Sequence, residues 1–413
     1  MKASDLTRIS SLLNPIRMRY PYFIGAAMWL SWLISLALGA GNLDAAGHLV
    51  GTDFVAFYTA GRLVLTGQSA DLYNLELARQ IQQPLYPAPS DNFNPYLNPP
   101  FFAWLFVPFA LLAYPWSPVA WMVANLVFLW ISLRLLQVKK TWQHFFLILT
   151  WQPAFSAISF GQNAFLSLLI LCLAYTLWRK DRLWTAGLIA GLLFYKPQLL
   201  FGVLFLCLLD LRRCWRVLAG CAIAIICLSG LSYALMPEAT LQYVFYVQKI
   251  AANLMTVEGF PIWNAHAVQA FWLALFPNQT GLAQILHIAC ALLGVLLFIL
   301  YWRVKRNDLP ILFGTALCLT IWVTPYIMVY DWVLLVVPAV LFWQQFPDQQ
   351  DYLKAIYAIL WVTLFISSVL TFTQWTYFGR ALQISVPVLA IVLLSLYKLT
   401  SSKQPEPEPL SAG

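Results

Sequence analysis

The chain has 413 residues, of which 61% are hydrophobic and 10% are charged. Charged residues make up about a quarter of an ordinary water-soluble protein, so this composition excludes that class and indicates a membrane protein. The net charge of +8 could suggest nucleic acid, but the basic residues lie singly or in short clusters between apolar segments. We therefore expect an all-α polytopic membrane protein that binds membrane lipids and no nucleic acid, with 1–400 as a single integral membrane domain.

The sequence carries no visible signal for a bound metal or cofactor. Its seven cysteines lie in or beside apolar segments without a CxxC pair, which indicates neither disulfides nor a zinc site. No glycine-rich nucleotide loop or paired-acid metal motif is visible. The first apolar stretch, 24–38, follows Arg17 and Arg19 without an obvious cleavage site, so we interpret it as a retained first span rather than a signal peptide.

Apolar segments recur along the chain, and a helix needs about 20 apolar residues to cross a bilayer. The twelve candidates, several of them short, are 21–40, 99–137, 142–159, 162–178, 183–195, 198–211, 215–236, 281–303, 309–323, 327–343, 354–373 and 380–400. The basic clusters between them are Lys2/Arg8/Arg17/Arg19, Arg134/Lys139/Lys140, Arg179/Lys180/Arg182, Arg212/Arg213/Arg216, Arg303/Lys305/Arg306, Lys354 and Lys398/Lys403. All of these clusters lie in the cytoplasm, as the positive-inside rule favours, if the chain crosses the inner membrane twelve times with both termini inside.

This topology has three local consequences. The segment 99–137 must cross only once. The segments 183–195 and 198–211 become two half-length helices that meet at Lys196, with a single long tilted helix as the alternative. The tail 401–413 is polar and proline-rich, and we expect it to be disordered in the cytoplasm.

The largest polar segment, 41–98, then forms the first outer loop. Thr52 or Asp53 can cap a short helix that stops at Gly67, and Asp71 can begin a second helix. Both helices are amphipathic enough to lie in the headgroup layer rather than cross the bilayer.

Three side chains at the first helix of this loop are candidates for chemistry. Asp53 is either only a helix cap or also a catalytic carboxylate at the boundary of water and lipid. Tyr58 and Arg62 are one helical turn apart and face the same way. Arg62 could bind a phosphate, or it could pair with Asp71 or a lipid headgroup.

A series of motifs begins at this loop and continues over about 50–345. In order they are Asp53-Phe54-Val55-Ala56-Phe57-Tyr58-Thr59-Ala60-Gly61-Arg62, Gly67, Asp71-Leu72-Tyr73, Asn98-Pro99-Pro100, Phe106-Val107-Pro108, Gly161-Gln162-Asn163, Ala186-Gly187, Lys196-Pro197, Arg212-Arg213-Cys214-Trp215, Asn264 and Tyr330-Asp331. Together they resemble the membrane proteins of glycosyltransferase family 87, which have the GT-C architecture. The chain departs from some branches of that family, which have histidines where it has Tyr330 and Asp331.

The resemblance implies an inverting transferase that takes a sugar, often mannose, from a polyprenyl-phosphate donor and delivers it to a lipid or glycan acceptor on the outer leaflet. It also implies an acidic base in the first outer loop, which here is Asp53. The departing phosphate needs a cation, for which Lys196, Arg62 and Arg380 are the candidates. A lysine at the centre of a span costs about 2.5–3.5 kcal/mol on insertion scales, so Lys196 is either a phosphate clamp or a side chain that reaches back to the interface.

The remaining candidates are polar residues at the ends of apolar segments. Gln162 and Asn163 suit sugar hydroxyls but could equally cap a helical turn, and Asn264 and His266 allow the same two interpretations. Asp331 could bind a polar group or pair with Arg380 across the mouth of a span.

Two other functions remain open at this stage. A carrier or flippase for lipid-linked sugars would also have broken helices with a lysine at the break, although the chain lacks two visibly related halves. A non-catalytic membrane subunit could use the same loop for contact with a partner.

Overall fold

The computed structural model describes residues 13–14, 16–86, 93–252, 254–256 and 260–401. Within these ranges the chain is all-helical, apart from two isolated bridges at Leu43–Leu49 and Ala265–Met328. The all-α class expected from the sequence is therefore confirmed. The predicted tail lies, except for Ser401, outside the described residues.

The helices fall into three consecutive groups. The first comprises Tyr20–Leu38, Phe54–Leu65, Leu75–Gln82, Pro100–Ala103, Val107–Ala110 and Ser117–Leu135. The second comprises Thr141–Leu149, Gln152–Ser159, Ala164–Arg179, Leu183–Gly191, Phe201–Leu209, Leu211–Leu235, Pro237–Gln242 and Gln248–Ala252. The third comprises Val268–Leu275, Thr280–Lys305, Leu309–Val323, Val336–Gln345, Gln350–Phe378 and Ser385–Ser401.

Short tighter turns extend or join these helices. They are the 3₁₀ segments Arg17–Arg19, Ser69–Asp71, Gln83–Leu85, Trp104–Phe106, Leu192–Tyr195, Pro197–Leu200, Leu254–Thr256, Ile262–Asn264, Val329–Leu335 and Pro347–Gln349, and the π turn Tyr243–Val247.

Five helical segments of the described chain are long and apolar enough to cross a bilayer alone. They are Arg17–Leu38, Ser117–Leu135, Leu211–Leu235, Thr280–Lys305 and Pro347–Phe378. Gln152–Ser159 and Ala164–Arg179 pass the same test together but are bent by 116°. Large apolar side chains such as Ile34, Leu293 and Val369 are exposed on the long helices, where a water-soluble protein would not keep so much apolar surface. The protein is thus a multi-pass membrane protein.

Proline decides where two of the predicted spans break. The segment 142–159 is not one helix, because Pro153 lacks the amide that would continue the hydrogen bonding and instead lies in the first turn of a new helix. The carbonyl of Leu149, which that amide would have reached, accepts a hydrogen bond of 2.8 Å from the Trp29 indole. The segment 183–211 also breaks, at Lys196 before Pro197. The prediction of two short helices is confirmed there, and the single long helix is wrong.

Contacts between connections that are distant in sequence define two ends of the bundle. One end, which we call the Asp53 end, contains the hydrogen bonds of Asp53 with Gln162 and of Asn98 with the Tyr195 carbonyl. The other, the basic end, contains the side-chain hydrogen bond of 2.9 Å from Arg213 to Asn307. The helices that finish at Leu209 and Lys305 lead directly into these two residues. Trp178, next to Arg179, contacts the ring of Phe313 in the first turns of the helix after Asn307, so the helix that finishes at Arg179 also finishes at the basic end.

The two short helices of the first loop differ from their predicted positions. In Phe54–Leu65, nine of the twelve residues are buried within the protein, whereas the amphipathic pattern predicted a helix in the headgroup layer. The second helix begins at Leu75 rather than at Asp71, because Asn74 caps it by accepting the amide hydrogen of Leu77 at 3.2 Å.

Candidate active site

The position of Asp53 is set by a turn from a distant part of the chain. The amides of Asp53 and Phe54 both donate to the carbonyl of Phe160, at 3.0 and 3.1 Å. Gly161 follows with a φ of +70°, and a Cβ there would come within 2.5 Å of the Phe54 Cβ. Only glycine allows both this conformation and this close approach, so the 160–163 turn packs directly on the start of the Phe54–Leu65 helix.

The carboxylate of Asp53 is held by two neutral amides. Gln162 Nε2 donates to Asp53 Oδ2 at 2.6 Å, and Asn94 Nδ2 donates to Asp53 Oδ1 at 3.3 Å. Asn94 Nδ2 also donates to the carbonyl of Thr52 at 2.7 Å. Neither Thr52 nor Asp53 caps the helix with its side chain. The interpretation of Asp53 as a helix cap is therefore wrong, because Gln162 and Asn94 engage its oxygens instead.

The surroundings of Asp53 favour its neutral form. Burial raises the pKa of the Asp53 carboxyl, whereas the hydrogen bonds from Gln162 and Asn94 and the positive charge of Lys196 lower it by less. The net pKa thus lies above the usual range for aspartate. The Lys196 ammonium is therefore close enough to the Asp53 carboxylate for its charge to act on it.

Lys196 lies at the break between the turns Leu192–Tyr195 and Pro197–Leu200. The Tyr195 ring stacks on Phe102 with the ring centroids 4.0 Å apart, and the Tyr195 carbonyl accepts a hydrogen bond of 3.1 Å from Asn98. These contacts fix the backbone on the N-terminal side of the break and satisfy a carbonyl that the helix no longer uses.

The Lys196 side chain forms a buried ion pair. Its Nζ lies 2.9 Å from Asp331 Oδ1 and 5.1 Å from the centroid of the Tyr330 ring. The prediction that Asp331 pairs with Arg380 is wrong, because Lys196 takes that place and Arg380 is exposed on the connection after Gln350–Phe378. The charge of Asp331, with that of Asp53, also raises the pKa of the Tyr326 hydroxyl beyond the effect of burial. The two carboxylates therefore act on the same region.

Gln162 and Asn163 have different partners although they are adjacent. The carbonyl of Gln162 accepts a hydrogen bond of 3.2 Å from the indole of Trp121, which is fully buried. The Asn163 side chain is also fully buried, and neither its oxygen nor its nitrogen has a hydrogen-bond partner within the described residues. An unpaired buried amide is costly, so Asn163 is a good candidate to contact a polar ligand.

Asn264 and His266 lie on the connection that the Ala265–Met328 bridge joins to the Asp331 region. Both nitrogens of the His266 ring face serine hydroxyls, with Nδ1 2.7 Å from Ser385 and Nε2 3.3 Å from Ser368. Burial lowers the pKa of His266 to about 3, so its ring is neutral. The contacts of His266 tie this connection to the C-terminal helices rather than to Asp53.

Tyr58 and Arg62 face the same way, as predicted, but not toward Lys196. Tyr58 Oη donates to the Leu112 carbonyl at 3.4 Å, and Arg62 donates to the Ala110 carbonyl at 3.5 Å. Arg62 lies nine residues beyond Asp53, which corresponds to about 13 Å along a helix and to half a turn around it. Arg62 therefore lies apart from the pair of Asp53 and Lys196.

Sequence reasoning missed several residues that build this site. Asn94, which contacts Asp53, has no signal in the sequence beyond being a polar residue in a polar loop. Asn98 belongs to an Asn-Pro-Pro motif, which could have marked it. Trp121 looks like any aromatic residue of an apolar helix, so its contact with Gln162 had no signal at all.

The sequence profile of glycosyltransferase family 87 matches residues 96–325. This match covers more than half of the chain. The chain belongs to glycosyltransferase family 87. The matched region contains Gln162, Asn163 and Lys196, whereas Asp53 precedes it and Asp331 follows it.

As a member of family 87, the protein is a membrane glycosyltransferase with a sugar donor and an acceptor. The resemblance identified from the sequence is thus confirmed at the level of the family. Searches of curated proteins and of solved structures found no match.

Proposed function

We propose that this protein is an inverting glycosyltransferase that moves a hexose from a polyprenyl-phosphate donor to a hydroxyl group of a lipid or glycan acceptor. Mannose is the first sugar to test, because it is frequent in the donors of the family that the sequence resembles. The acceptor oxygen attacks the anomeric carbon as the bond from that carbon to the phosphate oxygen breaks. The acceptor proton goes to the enzyme, and polyprenyl phosphate leaves with the bonding electrons.

Asp53 is the proposed general base. Its carboxylate is oriented by hydrogen bonds from Gln162 and Asn94. Both donors are neutral amides, so neither adds a positive charge that would hold the carboxylate in its ionised form. The raised pKa of Asp53 makes its carboxylate a stronger base than an ordinary aspartate, which suits a group that must accept a proton. This combination of fixed orientation and raised pKa is the observation that carries the proposal.

Lys196 is the proposed partner of the leaving phosphate. Its positive charge acts on the Asp53 carboxylate, so the proposed base and the proposed cation lie in one region. The cation can there stabilise the negative charge that develops on the leaving phosphate. Gln162, Asn163 and Asn264 are proposed to contact sugar hydroxyls, and Asp331 is assigned to the Lys196 side of the site. Binding roles for Tyr58, Arg62, His266 and Arg380 stay predictions.

An apolar cavity between the C-terminal helices is compatible with a lipid-linked donor. A cavity of about 170 Å³ lies between the helices Thr280–Lys305, Leu309–Val323 and Ser385–Ser401. Trp322 lines it two residues before Thr324, whose hydroxyl donates to the Gln198 carbonyl at 3.4 Å. The lining extends from Trp322 to Tyr301 and Tyr397 and is almost entirely apolar, so the cavity suits part of a hydrocarbon chain better than a nucleotide.

The positive-inside rule supports the proposed orientation. The helix ends at Arg179, Lys305 and Arg213 share the basic end, so that end is assigned to the cytoplasm and the Asp53 end to the outer side of the inner membrane. A topology of twelve crossings, arranged as in the GT-C architecture, places every basic cluster on the cytoplasmic side.

The test is the variant Asp53→Asn, purified and supplied with a panel of polyprenyl-phosphate sugars. We expect release of polyprenyl phosphate to fall by about 100- to 10,000-fold, the usual contribution of a general base, while binding of the donor persists. Asp71→Asn is the matched control, since Asp71 lies in the same loop and its carboxylate accepts a hydrogen bond of 3.1 Å from Asn74; it should keep full activity.

The alternatives give different results in the same experiment. A carrier would keep substantial flux of lipid-linked sugar in Asp53→Asn. The function of a non-catalytic subunit would hardly change. Equal transfer by Asp53→Asn and wild type would remove Asp53 as the base.

A further inference from the structure

Three of the charged side chains at the Asp53 end act on one another: the carboxylates of Asp53 and Asp331 and the ammonium of Lys196. The ammonium is in direct contact with Asp331, at 2.9 Å, and acts on Asp53 through its charge. The side chains of Lys196 and Asp331 are only 11% and 3% exposed. The cation that the proposed function assigns to the donor phosphate is thus already neutralised by a carboxylate.

Stability alone is a weak reason for such an ion pair. Removing two charges from water costs about as much as their attraction returns, and apolar residues often stabilise such a place as well or better. Lys196 is also at a helix break within an apolar run, which adds the cost of unused backbone hydrogen bonds.

The geometry of the pair suits an exchange of anions. An ammonium group has three N–H donors, and the contact with Asp331 uses one of them. A carboxylate and a phosphodiester each bring one negative charge, so exchanging one for the other leaves the net charge beside Lys196 unchanged.

We propose that Asp331 is a placeholder for the donor phosphate: its carboxylate neutralises Lys196 in the empty site, and the phosphate of the lipid-linked donor displaces it. This inference rests on the proposed function. Asp331 is a positioning residue in this scheme, since it acts through Lys196 and forms no bond in the reaction. The displacement forms and breaks only ionic contacts and transfers no proton.

The exchange has two functional consequences. A neutral polyprenyl lipid brings no charge and cannot displace Asp331, so the site discriminates between phosphorylated and unphosphorylated lipids. The product, polyprenyl phosphate, is in turn expelled as Asp331 returns to Lys196. Asp331 thus weakens phosphate binding and speeds product release.

The variant Asp331→Asn tests this directly in the purified full-length protein, with polyprenyl phosphate and polyprenol as probes. We expect polyprenyl phosphate to bind roughly tenfold tighter or more, because a buried counter-charge no longer competes for the ammonium. Polyprenol binding should not change. In turnover assays the KM for the donor should fall together with kcat, since the product then leaves slowly.

Two further variants complete the design. Asp351→Asn is the matched control, because Asp351 also pairs with a lysine, Lys354, at 2.8 Å but on the exposed surface; it should leave both lipids unaffected. If Asp331→Asn does not fold, the double variant Lys196→Gln/Asp331→Asn removes both charges. The double variant should bind polyprenyl phosphate more weakly than wild type and bind polyprenol as wild type does.

The inference is overturned if a folded Asp331→Asn binds polyprenyl phosphate no more tightly than wild type, or if the double variant keeps wild-type phosphate affinity. Failure of the proposed function is distinguishable from this result. In that case wild type itself releases no polyprenyl phosphate from any donor, whatever the Asp331 variants bind.

Discussion

Asp53 and Asp331 are two carboxylates at the same end of the bundle, but different groups hold them. Asp53 bonds to the neutral amides of Gln162 and Asn94 and is reached by a turn 109 residues further along the chain. Asp331 bonds to the ammonium of Lys196, 135 residues before it. Both carboxylates are held by partners remote in sequence, but only the partner of Asp331 is charged.

This difference separates two tasks that carboxylates perform in enzymes. Neutral donors orient a carboxylate without adding a full positive charge beside it, so burial raises the pKa of Asp53 and makes it a stronger base. The ammonium that contacts Asp331 can instead pair with another anion in its place. The partner, rather than the residue type, therefore assigns Asp53 to proton transfer and Asp331 to the charge of the donor site.

The largest stability effect is expected from the variant Lys196→Met. It leaves the Asp331 carboxylate buried without its cation, and breaking a buried pair in this way costs about 3–5 kcal/mol. Thermal unfolding in detergent measures the loss. Lys354→Met breaks a surface pair of similar length and should cost less than about 1 kcal/mol. Similar losses for both variants would contradict the distinction between buried and exposed pairs.

An intermediate effect is expected from Gly161→Ala on the Asp53 side. The new methyl group would overlap Phe54, and alanine would need a positive φ, so we expect a loss of about 1–3 kcal/mol and a lower transfer rate as Gln162 moves from Asp53. Gly67→Ala is the control, because Gly67 also has a positive φ but open space around it. A transfer rate reduced equally by both changes would show that the contact with Phe54 is irrelevant.

The smallest effect is expected from Gln162→Leu and is read in the pH dependence of transfer. A base works only when deprotonated, so activity should fall as the pH drops through the pKa of Asp53, which lies above the ordinary value. Losing the hydrogen bond from Gln162 removes support for the ionised form and raises that pKa further. The acid limb of the rate profile should therefore move to higher pH.

The matched control for this change is Gln80→Leu. Gln80 also donates an amide hydrogen bond to a carboxylate, that of Glu76 at 3.2 Å, but on an exposed helix. Its profile should coincide with that of wild type. An acid limb that stays in place in Gln162→Leu would show that Gln162 does not act on the ionised form of the base.

Local features of the sequence were predictable because their causes are local. A lysine and a proline inside an apolar run predict the break at Lys196, since proline lacks the amide that continues a helix. Helical periodicity places Tyr58 and Arg62 on the same face of one helix. The position of Asp53 at the start of a short helix was predicted for the same reason.

The partners of these residues were not predictable, because they depend on how distant segments pack. A polar residue before a helix usually caps it, and nothing near Asp53 indicates that Gln162 and Asn94 take its oxygens instead. Likewise, the sequence allowed Asp331 to bind a polar group or to pair with Arg380, and nothing near it indicates the pair with Lys196. Single-sequence patterns identify which side chains are unusual but not which of them meet.

The carbonyl of Phe160 accepts hydrogen bonds from the amides of both Asp53 and Phe54. It therefore determines how much of the chain must be transferred to move this site to another protein. A chimera that grafts only the 41–98 loop onto another scaffold would bring the carboxylate without the peptide group that anchors it. The smallest graft that preserves the arrangement also includes the helix and turn from Gln152 to Asn163.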